Sequence, residues 1–84
     1  MKTKKVRVSR YVEPNEILES NINARFLKIN YKYDDTSTNK YISVLLSKGD
    51  YVRNSTNASI EFNENGTLFI GLKKVYITNY ELIY

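Results

Sequence analysis

The chain has 84 residues, 13 Lys and Arg against 9 Asp and Glu for a net charge of +4, and neither His nor Cys. That length suits one small domain and is too short for two. Without His or Cys the chain has no Ser-His or Cys-His nucleophile pair, no imidazole or thiolate zinc site and no disulfide to stiffen a modest core.

In chain order, the first predicted element is a strand that begins in the basic segment 1–10. Val6, Val8 and Val12 share one face with Arg10, while Lys5, Arg7, Ser9 and Tyr11 share the other, and such period-two alternation marks a half-buried strand. Pro14 suits the first position of a helix, where its missing N–H has no partner to lose, and Glu16-Ile17-Leu18-Glu19 supplies one or two turns. Residues 14–21 therefore read as one short helix or an extended loop. Over residues 25–33, Leu27, Ile29, Tyr31 and Tyr33 face inward and Phe26, Lys28, Asn30 and Lys32 outward. The turn formers Asp34-Asp35-Thr36-Ser37-Thr38-Asn39 connect this strand to the next, residues 40–47, with Ile42, Val44 and Leu46 on one face.

A second hairpin follows. Ala58, Ile60 and Phe62 alternate with Ser59, Glu61 and Asn63, Asn65-Gly66 tolerates positive φ, and residues 67–72 resume an apolar run. Residues 74–78 read as a strand that Thr78-Asn79 breaks before Tyr80, Leu82 and Tyr84 extend again. The stretch Val75-Tyr76-Ile77-Thr78-Asn79-Tyr80-Glu81-Leu82-Ile83 resembles the end of an SH3 domain, where a strand, a 3₁₀ turn with a Ser/Thr-Asn-Tyr step and a short last strand close a barrel. The likeness spans those nine residues and implies a fold only; no peptide-binding residue carries over. Together, five or six short strands and at most one helix predict an all-β, mainly antiparallel fold. The expected form is a small SH3-like or OB-like barrel or rolled sheet, in a single domain over residues 1–84.

Composition limits what abundance can mean. Asn (10), Lys (9), Ile (8) and Tyr (8) make up 35 of the 84 residues, and all four have A/T-rich codons, so a low-GC genome accounts for their number. Only their placement is informative. The same bias accounts for the glycosylation sequons at Asn54, Asn57 and Asn65. The longest apolar runs, Val44-Leu45-Leu46 and Leu68-Phe69-Ile70, predict neither a signal peptide nor a membrane span, and with the lack of Cys they suggest a cytoplasmic protein.

Three groups of residues are candidates for binding. Lys2, Lys4, Lys5, Arg7 and Arg10 place five positive charges in the first ten residues without one acid, whereas residues 11–84 hold eight bases and nine acids. Such a segment can neutralise phosphates, or can equally be the charged, solvated edge strand that discourages aggregation. The outward row Phe26, Lys28, Asn30 and Lys32, joined by Tyr41, is the pattern of an oligonucleotide-binding sheet, unless a loop covers Phe26. Tyr11, Tyr41, Tyr51 and Tyr76, with Arg53, are the types that anchor protein interfaces. The carboxylates carry no catalytic or metal-binding pattern. Asp34-Asp35 and the Glu13, Glu16, Glu19 series lack calcium-loop spacing, and three Gly build no phosphate cradle.

The sequence thus predicts a non-enzymatic interaction module without cofactor or metal. Its expected partner is a host protein or nucleoprotein complex bound through Tyr11, Tyr41, Tyr51, Arg53 and Tyr76. An accessory or inhibitor protein of a phage or mobile element, acting on a host enzyme or defence nuclease, suits the size and composition. The alternative is direct DNA or RNA binding through Lys2, Lys4, Lys5, Arg7, Arg10, Phe26, Lys28 and Lys32. No membrane partner is expected.

Overall fold

A computed structural model describes residues 2–33, 40–54 and 58–84. The predicted connector over residues 34–39 and the sequon at Asn57 lie outside them. Eight strands are present among the described residues: β1 (Thr3–Val12), β2 (Ile17–Glu19), β3 (Phe26–Tyr33), β4 (Ile42–Ser47), β5 (Asp50–Arg53), β6 (Ser59–Phe62), β7 (Leu68–Gly71) and β8 (Val75–Ile83). They form two antiparallel four-stranded sheets, one in the order β1-β8-β3-β4 and the other in the order β2-β7-β6-β5. The sheets are not closed on one another, so the fold is all-β as expected, with more strands than the five or six predicted.

The period-two pattern fixes which residues lie between the sheets. Leu27, Ile29 and Tyr31 of β3 and Leu46 of β4 meet Ile60, Phe62, Leu68 and Ile70 of β6 and β7 in one buried cluster, joined by Val75, Ile77, Tyr80 and Leu82 of β8. Each such side chain contributes about 1.5–3 kcal/mol when fully withdrawn from water. A polar tie crosses this interior: the Tyr80 hydroxyl donates to the Glu19 carboxylate, joining β8 to β2.

Two bulges bend the first sheet at one level. Against β8, β1 gains a residue between Arg7 and Arg10, where Ser9 takes φ +53°. Against β3, β8 gains one between Asn79 and Ile77. A bulge on β8 lets Val75 and Ile77 face the core on one side and Tyr80 and Leu82 on the other, although their numbers change parity. The break expected at Thr78-Asn79 is therefore a bulge inside one continuous strand, and the 3₁₀ turn implied by the SH3 resemblance is not formed.

Residues 14–21 are not helical. Asn15 turns at φ +66°, its N–H donates to the Ile70 carbonyl at 2.6 Å, and the Ile70 N–H reaches the Glu16 carbonyl at 3.4 Å, making β2 an edge strand on β7. An eight-residue segment gains little from an isolated helix, and a sheet edge offers its backbone partners at once. Asn residues build two of the other connections in the same way. The side chains of Asn54 and Asn63 accept the N–H groups of Ala58 and Thr67, each at 2.9 Å. Among the described residues no helix is long and apolar enough to cross a membrane.

Candidate functional site

The outer face of β1-β8-β3-β4 follows from pleat and register alone, since alternate side chains of paired strands line up in rows. One row reads Lys5, Glu81, Lys28, Leu45; the next reads Arg7, Asn79, Asn30, Ser43. Beyond the bulges, Tyr11 lies opposite Tyr76 and Tyr76 opposite Lys32. At the other end Phe26 lies between Ile83 and Ser47.

These rows enclose a shallow groove of about 620 Å³ lined by Lys5, Arg7, Lys28, Asn30, Thr78, Asn79 and Glu81 together with Val6 and Tyr80. A hollow of about 290 Å³, bordered by Tyr41, Ile42, Ser43 and Tyr76, continues it and shares Asn30, Thr78 and Asn79. Across the middle the Asn30 amide donates to the Asn79 side-chain carbonyl at 2.6 Å.

The tyrosine end is built from ring and cation contacts. Tyr11 and Tyr76 meet edge to face with centroids 5.2 Å apart, and Tyr41 meets Tyr76 at 6.2 Å. The Lys32 ammonium lies 5.4 Å from the Tyr41 ring centre and 5.8 Å from that of Tyr76, and Lys74 lies 4.8 Å from that of Tyr11. Each such approach is worth about 0.5–1 kcal/mol at an exposed site. The rings remain accessible, with Tyr41 60% and Tyr11 39% exposed. At the far end Phe26 is 37% exposed, so the loop before it leaves it uncovered, and the Arg25 guanidinium stands 6.0 Å from its ring centre.

The fold regroups the sequence candidates. Lys5, Arg7, Phe26, Lys28 and Lys32, expected to contact nucleic acid, share this face with Tyr11, Tyr41 and Tyr76, expected to contact protein. The pleat sends the remaining basic-segment residues elsewhere. Lys2 lies 5.5 Å from the Tyr84 ring centre, and Lys4 pairs with Leu82 on the alternate side. Arg10 forms a two-pronged ion pair with Glu16, at 3.1 and 2.5 Å, which holds the Glu16 carboxyl below its ordinary value. Tyr51 and Arg53 are set apart on β5 of the other sheet, where the Arg53 guanidinium lies 5.5 Å from the Tyr51 ring centre.

Sequence reasoning missed Lys74, Asn79 and Glu81. Their membership depends on β8 pairing with both β1 and β3, a contact between chain ends with no local signal. Chemically the face offers cations, amides, hydroxyls, rings and the exposed aliphatic side chains of Leu45 and Ile42, with Glu81 its one carboxylate among the described residues. No group of three or more Asp or Glu among the described residues is placed to hold a metal ion. Comparison with known protein families, curated proteins and solved structures finds no match to this chain.

Proposed function

We propose that the chain is a non-enzymatic interaction module that binds a densely negative partner, above all a nucleoprotein complex, on the outer face of β1-β8-β3-β4. The supporting observation is where the charge lies. Among the described residues Lys5, Arg7 and Lys28 line the groove with Glu81 as its one carboxylate, and Lys32 and Lys74 stand over the tyrosine rings at its end. A cleft lined with one sign of charge concentrates field and speeds encounter with a partner of the other sign.

The layout favours a nucleoprotein over an ordinary protein surface. Protein interfaces keep apolar residues at the centre and polar ones at the rim. Here the centre is Arg7, Lys28, Asn30, Asn79 and Glu81, and the aromatic side chains stand at the two ends. Tyr51 and Arg53, on the other sheet, have no part in this binding face.

Chromatography on immobilised heparin tests the proposal. The variant Lys5→Gln, Arg7→Gln, Lys28→Gln should elute at clearly lower salt than the wild type. A control with Lys2→Gln and Lys4→Gln should move much less for each charge removed. An equal shift per charge would mean that net charge alone governs retention, and would remove this face as the site.

A further inference from the structure

We infer that the groove takes single-stranded nucleic acid, drawn out along the strands with its phosphates on the cations of β1 and β3 and its bases over the floor and the aromatic ends. This rests on the function proposed above and adds the class of ligand.

Lys5 and Arg7 are successive outward positions of a strand and so stand about 6.7 Å apart along it, a span that successive phosphates of one nucleic-acid strand can bridge. What favours one strand over two is the exposed rings at the groove's ends, because only unpaired bases can turn their faces onto them.

Bases taken out of a stack need other ring faces, and the groove supplies them at both ends. Phe26 is exposed at one end; Tyr11 and Tyr41 are exposed at the other. From Phe26 to Lys32, the partner of Tyr76, β3 runs six residues or about 20 Å, room for about three drawn-out nucleotides.

The floor separates base from backbone. Glu81 sits on β8 between its register partners Lys5 and Lys28. Its carboxylate repels phosphate and can accept from the amino groups of bases, as carboxylates do with cytosine. Asn30 and Asn79 add neutral donors and acceptors beside it. Phosphates are thus directed to the cationic banks and bases to the middle.

The test is fluorescence anisotropy of labelled oligo-dT and oligo-U, a duplex of equal length and a polyglutamate peptide, each over a range of salt. Both single strands should bind at least about tenfold more tightly than the duplex, with log affinity falling against log salt at a slope of about −2 to −3 for three or four phosphate contacts. If only one of the two binds, the groove also reads the 2′-hydroxyl or the base 5-methyl group, in which the two probes differ. Lys5→Gln with Arg7→Gln should flatten the slope by about 1.4. Tyr41→Ala should weaken binding by about fivefold or more at unchanged slope, and Tyr41→Phe should restore it. These side chains are exposed, so an unchanged unfolding midpoint checks that each variant stays folded. Equal affinity for duplex and single strand with no effect of Tyr41→Ala would overturn the inference. Binding of polyglutamate but of neither oligonucleotide would overturn it too, while leaving the proposed acidic-partner function standing. Failure to bind any of the four would overturn both.

Discussion

Gly66 answers two demands at once. Its φ is +82°, and a Cβ placed on it would lie 2.1 Å from the Ile22 carbonyl oxygen. The segment before β3 crosses the hairpin turn there, with the Ile22 N–H donating to the Gly66 carbonyl at 3.2 Å. Gly49, in the turn between β4 and β5, has φ +95° but meets only the Glu64 side chain, at 3.4 Å. Asn tolerates positive φ and so separates the two demands. Gly49→Asn should destabilise by about 1 kcal/mol, and Gly66→Asn by about 2–3 kcal/mol because the backbone clash remains. Urea unfolding of the two variants measures the difference. Equal losses would mean that φ alone fixes Gly66. Asn65-Gly66 was legible in sequence as a turn, whereas the crossing by Ile22 was not, because nothing local to either segment announces it.

The strands that could be read were those with a full inward row, such as Leu27, Ile29 and Tyr31. β5 could not, because Asp50, Tyr51 and Arg53 all remain exposed and only Val52 turns inward. β2 was misread through Pro14, since its strand state comes from β7 and not from its own three residues. The candidate site was legible row by row along β3, and illegible across strands, where pairing assembles Lys5, Glu81 and Lys28. The link from β7 to β8 shows the same tension between local preference and tertiary need. The Lys73 N–H donates to the Gly71 carbonyl at 2.8 Å, closing a three-residue turn around Leu72 at φ +68°. That sign of φ is the strained form of such a turn, and a leucine there costs about 1–2 kcal/mol. Leu72 is 68% exposed, so its side chain returns little by burial. Leu72→Gly should therefore stabilise the fold by about 0.5–1 kcal/mol once the greater freedom of glycine in the unfolded chain is subtracted. Thermal unfolding should show a midpoint a few degrees higher; a lower midpoint would mean that the leucine makes contacts worth more than its strain.

Across the whole molecule, net charge and titration lead to one expectation. The pleat divides the five bases of the first ten residues, placing Lys5 and Arg7 in the groove beside Lys28 of β3 and sending Lys2, Lys4 and Arg10 elsewhere. No side chain of the sequence has an ordinary pKa between about 5 and 9, there being no His and no Cys. On the alkaline side, burial followed by a hydrogen bond to Glu19 pushes the Tyr80 hydroxyl well above its ordinary value, and burial followed by Tyr31 does the same for Tyr33. The folded state then keeps protons that the unfolded state releases above pH about 10. The stability these groups provide is complete below that pH and falls as pH rises, by up to about 1.4 kcal/mol per pH unit for each group. On the acid side, a hydrogen bond from Arg10 lowers Glu16, and the Ser47 backbone N–H followed by its hydroxyl lowers Asp50. Their stabilisation is present above pH about 4 and is lost as pH falls further, by a small amount at such exposed positions. Unfolding midpoints measured from pH 3 to 11 should therefore form a plateau with a shallow acid shoulder and a steeper alkaline one. Tyr33→Phe should soften the alkaline fall without altering the plateau's width on the acid side. A step near pH 7 would show that a strongly shifted group exists where none is assigned. The charge of the proposed binding face should be as constant across the plateau as the fold, so affinity for a polyanion should respond to salt and scarcely to pH between 6 and 8.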